Sequence, residues 1–168
     1  MGEERARSGG GSGIGAALVE GFARQGAKVA FIDIAEKPSK ALAAKLSAQS
    51  AHPVVFYHAD LRDVGAIRNT VAAVESDLGA IRVLVNNAAW DDRHDIDTTT
   101  EEYWDNNQAI NLKQVFFVSQ AAAPGMRAAG GGAIINFSSI VFRMNPPALS
   151  SYATAKSEIG RASCRERV

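Results

Sequence analysis

Tyr152 and Lys156 stand four residues apart in "YATAK", near the end of a 168-residue chain. On a helix that spacing sets a phenol and an ammonium on one face, a turn apart, where both can address the same small molecule. A phenol can exchange a proton with a substrate oxygen, but with a free pKa near ~10 it needs roughly 4 kcal/mol of help to work as a phenolate at neutral pH. One ammonium at about 4 Å, at an effective dielectric near ~20, supplies that order of energy. Taken alone, the pair also fits an amphipathic surface.

A second candidate lies at the other end of the chain. "SGGGSGIGAALVEGF" carries glycines at positions 9, 10, 11, 13 and 15 and then turns helical. Such a loop allows close approach of a pyrophosphate, and the following helix aims free amides and its positive dipole end at the anion. Several registers fit, including G-x-G-x-x-A at Gly11, Gly13 and Ala16, and a flexible Gly/Ser linker reads the same way. Asp33, twenty residues beyond Gly13 at the end of the next strand, favours the dinucleotide reading, because its carboxylate can accept hydrogen bonds from ribose hydroxyls. The same carboxylate would repel a 2'-phosphate. No Lys or Arg lies between Ser8 and Phe22 to offset it, so NAD is expected over NADP.

The elements that must position these groups read as a parallel α/β domain. Apolar, β-branched runs at 28–34, 53–60, 81–88 and 132–139 suit strands buried on both faces. Periodic segments at 14–25, 38–49, 63–78 and 101–129 suit the helices between them, the last closed by "AAGGG". Right-handed crossovers then give a doubly wound sheet that binds ligands at the carboxyl ends of its strands. Asp60, Asn86 to Ala89 ("NNAA") and the pair Ser138 and Ser139 fall at those ends. Asp60 could meet an adenine ring. A glycine loop of this kind is normally launched from a buried strand, yet Glu3, Glu4, Arg5 and Arg7 precede it, charges that a covered sheet does not hold.

In these motifs and their order the sequence resembles the classical short-chain dehydrogenase/reductase family, from Ser8 to about Lys156. The family's T-G-x-x-x-G-x-G loop has its counterpart in Ser8, Gly9, Gly13 and Gly15, with Ser for Thr; its N-N-A-G in Asn86, Asn87, Ala88 and Ala89, with the last Gly replaced. The resemblance implies a catalytic tetrad of Asn111 in "AINLK", Ser139 in "NFSS", Tyr152 and Lys156. It further implies a Rossmann-type fold and cofactor contacts from Gly9, Ser12, Gly13, Ile14, Gly15, Asp33, Asp60, Leu61, Asn87, Ala88, Tyr152 and Lys156. In this reading Tyr152 exchanges the proton, Lys156 activates it and holds the nicotinamide ribose, Ser139 bonds the reacting oxygen, and Asn111 holds a water linking Lys156 to solvent. "GFARQGAKVAFIDIA" and "VNNAAWDDRH" look most like bacterial NAD-dependent sugar 1-dehydrogenases of the D-xylose dehydrogenase type. The implied substrate is an alcohol or sugar oxidised to a lactone, and the implied assembly a homo-oligomer, dimer or tetramer. The alternatives are a reductase of 3-oxoacyl carrier-protein type and an inactive nucleotide-binding or interaction remnant.

The loop "WDDRHD" from Trp90 to Asp95 borders the expected cleft, and Asp91 and His94 are its candidate polyol contacts. Its acidic and histidine side chains are too closely spaced to enclose an ion without distant partners, so no metal is expected. Composition excludes other classes. Eighteen basic residues balance eighteen acidic ones, and 46% hydrophobic with 21% charged is ordinary globular usage. Neither nucleic acid nor a membrane is an expected partner. No apolar run nears the ~18 residues of a membrane span and "MGEERARS" lacks a secretory h-region, which together with the single Cys164 predicts a cytoplasmic protein. The expected organisation is a non-native N-terminus over 1–7, a partial dinucleotide-binding domain over 8–157, incomplete at its first and C-terminal strands, and a tail over 158–168. "EIGRASCRERV" offers no apolar stripe, and a nucleotide string resembling a common sequencing adapter encodes it, so read-through is the expected origin.

Overall fold

The computed structural model describes residues 9–144 and 146–162. The N-terminal stretch 1–8 and the tail residues 163–168 lie outside the described residues. Four parallel-paired strands alternate with helices, the expected Rossmann-type α/β arrangement in partial form. Strands β1 (Val29–Asp33) and β2 (Val54–His58) pair in parallel, Val29 opposite Val54 through Asp33 opposite His58. Strands β3 (Val83–Asn86) and β4 (Ala133–Asn136) pair likewise, Val83 opposite Ala133 through Asn86 opposite Asn136. Among the described residues these two pairs are separate two-stranded sheets.

Period-two alternation divides the strand side chains between two cores. Val29, Phe31 and Val54 pack with Val19 and Ala23 of helix α1 (Gly13–Arg24) and Leu46 of α2 (Glu36–Ser47). Phe31 and Phe56 meet across the pair with ring centroids 5.4 Å apart. Ile32, Leu84 and Ile134 point the other way, against Ile67 and Val71 of α3 (Val64–Leu78) and Val118, Ala122 and Met126 of α5 (Gln114–Ala128). Helices thus cover both faces of β1, while on β3 and β4 Val83 and Ile135 stay exposed on the face away from α5. Local signals set the boundaries. Asp63 caps α3 by accepting from the Gly65 and Ala66 amides, and Gly79 at φ +89° ends it.

The segment expected as one helix over 101–129 is three pieces. Helix α4 (Glu101–Gln108) passes into a wide π turn (Ala109–Lys113) before α5 resumes. The turn carries Asn111, and the buried side chains of Asn107 and Asn111 bond to each other (3.1 Å) and both reach the Trp90 carbonyl. After a short helix α6 (Val141–Met144), α7 (Ser150–Ala162) carries Tyr152 and Lys156. It runs past the expected boundary at 157, and Ile159 is buried.

Candidate active site

The glycine loop rests on the end of β1 with no room for side chains. The Gly10 amide donates to the Ile32 carbonyl at 3.1 Å, and Asn87 Nδ2 donates to the Gly9 carbonyl at 3.0 Å, so the loop is pinned from both sheets. A Cβ on Gly15 would lie 1.8 Å from the Gly9 carbonyl oxygen, and one on Gly9 would lie 2.3 Å from that of Ile32. Gly13 at φ +53° turns the chain into α1. Ser12, the N-cap, makes no side-chain capping bond, Gly13 and Ile14 are exposed, and the first-turn amides of a twelve-residue helix face outward for an anion.

Gly9, Asp33, Asp60, Leu61 and Ala88 line one narrow crevice at the carboxyl ends of β1, β2 and β3. Asp33 is buried there, its Oδ2 accepting from the Gly11 amide (2.9 Å) and its Oδ1 from that of Ala35 (2.8 Å). Sequence reasoning aimed this carboxylate at a ribose; here the loop backbone holds it, and a ribose would reach it only as Gly11 moves aside. Asp60 is likewise engaged, by Arg62 Nη2 at 2.5 Å, with the same guanidinium reaching Asn106 Oδ1 at 3.0 Å. Beside Gly11 and Asp33 lies the fully buried hydroxyl of Ser39, which has no hydrogen-bond partner among the described residues.

The four expected catalytic residues are placed by α7, the π turn and the loop after β4. Tyr152 is half-buried and within hydrogen-bonding reach of the Ser139 hydroxyl. Burial first, and then the charge of Asp91, push the phenol above its ordinary value, against a lowering pull from Ser139. That direction is opposite to the one a Lys156–phenolate pairing was expected to give. The reason is the aim of Lys156: its Nζ donates to the Phe137 carbonyl at 2.9 Å and lies 5.6 Å from the Tyr152 ring centre. Burial without a carboxylate partner lowers this lysine to about 8. The side chain of Asn111, the expected water holder, is engaged by the loop after β3. Its Oδ1 accepts from the Trp90 amide and its Nδ2 donates to the Trp90 carbonyl, both at 2.8 Å. It clamps the start of the loop after β3.

That loop carries both candidate substrate contacts. Asp91 is exposed and close enough to raise the Tyr152 phenol. His94 faces its own loop: its ring stacks on Tyr103 at 4.1 Å, Nε2 meets the Thr98 carbonyl at 3.1 Å, and its amide donates to Ala148 ahead of α7 at 2.8 Å. Ala148 takes a left-handed φ of 61° to receive that bond. Among the described residues no group of three or more His, Cys, Asp or Glu side chains could hold a metal ion, and no helix is long and apolar enough to cross a membrane.

The family model of the short chain dehydrogenases matches residues 8–161. The chain belongs to this family. Its members are oxidoreductases that use nicotinamide cofactors, in keeping with the family placement that the motifs implied. Among curated relatives, a protein of Rhizobium meliloti (strain 1021) named "Probable galactose dehydrogenase" is 54% identical over 152 residues, 90% of this chain and 59% of that protein. A D-xylose 1-dehydrogenase of Caulobacter vibrioides is 49% identical over the same shares. The chain thus spans about three-fifths of the length of these relatives. Among solved structures, a metagenomic short-chain oxidoreductase in complex with NADP superposes with a TM-score of 0.86 at 28% identity, over 91% of this chain and 69% of that one. A gluconate 5-dehydrogenase from Burkholderia cenocepacia J2315, in complex with NADP and tartrate, gives 0.83 at 31% identity over 92% and 60%.

The residues of this chain fit a nicotinamide dinucleotide on three counts: a side-chain-free cradle, a helix N-terminus without a side-chain cap, and a buried hydroxyl at Ser39 with no partner among the described residues. Sequence reasoning missed the polar chain that ties α4, the π turn, β4 and α7 together. Ser151 Oγ donates to Asn107 Oδ1 and receives Gln108 Nε2, each at 3.0 Å, tying α4 to α7. Ser138 Oγ donates to the Lys156 carbonyl at 2.7 Å, and Asn86 Nδ2 donates to both Asn136 and Ser119. The available signal was the run of amides in "DNNQAIN", whose polar residues sit at positions where a core-facing helix is otherwise apolar.

Proposed function

We propose that these residues form the cofactor-binding and catalytic half of an NAD-dependent dehydrogenase that oxidises an aldose at its anomeric carbon to a lactone. The observation that carries the reading is Tyr152 meeting Ser139 beside the exposed carboxylate of Asp91, at the mouth of a glycine-loop domain. The names of the two relatives, a galactose and a D-xylose dehydrogenase, support the sugar class. Bound nicotinamide supplies the hydride acceptor at its C4. Tyr152 takes the hydroxyl proton of the sugar, and Ser139 holds the oxygen whose charge changes as the C–H bond breaks. Lys156, released from Phe137 toward the phenol, lowers the cost of the phenolate; Asp91 accepts from a neighbouring sugar hydroxyl. Gly9, Ser12, Gly13, Ile14 and Gly15 cradle the pyrophosphate, and Asp60, Leu61, Asn87 and Ala88 border the adenosine side. Asp33 and the neutral Ser39 favour a 2'-hydroxyl over a 2'-phosphate, hence NAD, although both solved neighbours named above hold NADP.

The test is a full-length enzyme carrying these residues, assayed on pentoses, hexoses, secondary alcohols and acyl thioesters with NAD and NADP in turn. The expected outcome is lactone formation from an aldose with a higher kcat/KM for NAD. Turnover confined to thioesters would refute the sugar assignment, and equal use of both cofactors would refute the NAD preference.

A further inference from the structure

The crevice at the carboxyl ends of β1, β2 and β3 has one charged wall that the dehydrogenase reading leaves unused, Arg62. Two neighbours fix its side chain. Nε donates to both oxygens of Asp60 at 3.0 Å, Nη2 to Asp60 Oδ2 at 2.5 Å, and Nη1 to Asn106 Oδ1 of α4 at 3.0 Å. Asn106 is held in turn, its Nδ2 donating to the Glu102 carbonyl one turn back at 2.9 Å. Every nitrogen of the guanidinium thus donates already, and a planar group committed at its nitrogens has its flat face left for a ligand. The side chain stays 31% exposed, so that face is within reach.

The same geometry changes what Asp60 can do. Its Oδ1 also accepts from the Arg62 amide at 3.0 Å, so both carboxylate oxygens are shared between two donors of one residue. An ionised carboxylate has about four lone-pair sites, which these contacts take up, and a ligand's amine finds no open acceptor there. The neighbouring walls are apolar, from Ile34, Ala59, Leu61, Ala88 and Ile110. Such a crevice meets a flat heterocycle by its faces. We infer that the Arg62 guanidinium is the stacking face for the purine base of the bound dinucleotide, with Asn106 as its positioning residue, and that the base is recognised by its face and not by its 6-amino edge. The inference rests on the dinucleotide reading of the crevice and not on the sugar assignment. A cation over an aromatic ring is attracted by the ring quadrupole, and Arg, flat and weakly hydrated, suits this contact well. A purine without the 6-amino group keeps its faces, so it keeps the attraction.

The experiment titrates the 168-residue chain by calorimetry with ADP-ribose and with inosine diphosphate ribose, whose base carries an oxygen in place of the amino group. Both should saturate one-to-one with Kd values within ~threefold of each other. Arg62→Ala should weaken ADP-ribose by about three- to thirtyfold. By opening the Asp60 carboxylate, the same variant should also acquire a preference of at least ~fivefold for ADP-ribose over the inosine analogue, a change that a merely structural role would not produce. Asn106→Ala should lose part of the affinity, and Asn106→Asp, which keeps an acceptor for Nη1, should restore it. Should Arg62→Ala melt apart from the parent, the ratio of the two ligands in the unaltered chain and the Asn106 pair decide. A preference of ~tenfold or more for ADP-ribose in the unaltered chain, or undiminished binding by Arg62→Ala, would overturn this inference alone. Equal losses in the two Asn106 variants would remove Asn106 from it. Failure of the unaltered chain to bind either ligand would overturn it together with the dinucleotide reading.

Discussion

Tyr152 and Lys156 show how far spacing alone carries. The four-residue interval did place both on one helix, with the ammonium 5.6 Å from the phenol ring, but it could not say that the Phe137 carbonyl competes for that ammonium. Burial without a carboxylate partner gives Lys156 a consequence of its own. Its folded-state value near 8 lies below the ordinary 10.5, so the unfolded chain binds more protons between the two, and stability rises with pH across that window. The full difference corresponds to about 3 kcal/mol, present above 10.5 and lost as pH falls through 8. Tyr57 pushed up to about 12, with Tyr103 and Tyr152 raised as well, opposes the gain above ~10. Denaturant midpoints should therefore rise from pH 8 toward 10, and Lys156→Met should flatten that rise. An unchanged slope in the variant would assign it elsewhere. Asp91 acts on the phenol in the upward direction, so Asp91→Asn should shift the alkaline-rising limb of kcat/KM toward lower pH in the full-length enzyme.

At the scale of elements, the strands were legible within one to three residues at each end, because each is a β-branched apolar run that polar or turn residues delimit, even where, as at Val83 and Ile135, one face stays exposed. The break in 101–129 was not. Nothing in apolar periodicity marks a π turn, and the contacts around this one are polar: Asn107, Asn111, Gln108 and Ser151 bond among themselves beside Ala109–Lys113. Asn107 is the hub, fully buried and accepting from both Asn111 and Ser151. Asn107→Ala strands two buried donors, so it should cost about 2–4 kcal/mol. Chemical denaturation of the chain and the variant measures it. A loss below ~0.5 kcal/mol, the usual scale of surface changes, would mean the chain of amides does not hold α4 to α7.

At the scale of the whole molecule, the glycine loop, Asp33 and the strand ends expected to hold the cofactor gather at one crevice, and the loop expected to meet substrate lies beside Tyr152. Chain order brings Gly9, Asp33, Asp60, Leu61 and Ala88 into one crevice, since Asp33 ends β1, Asp60, Leu61 and Ala88 closely follow β2 and β3, and Gly9 lies in the loop ahead of α1. What sequence could not supply was which of these groups are already engaged: Asp33 by Gly11 and Ala35, Asp60 by Arg62, His94 by Tyr103 and Thr98. Most of these commitments are local, two to four residues apart, and only the Gly11–Asp33 bond is distant in sequence; which of the possible partners each group takes is set by the folded geometry. The central claim is that Tyr152 transfers the proton in an aldose oxidation. Its most direct test is the initial rate of lactone formation from D-galactose and D-xylose, with NAD, by the full-length enzyme and its Tyr152→Phe variant, after both are shown to melt alike. The expected result is aldose turnover that falls by a factor on the order of 10²–10⁴ when the phenolic hydroxyl is removed, with little change in KM. Turnover that survives the loss of that hydroxyl would contradict it.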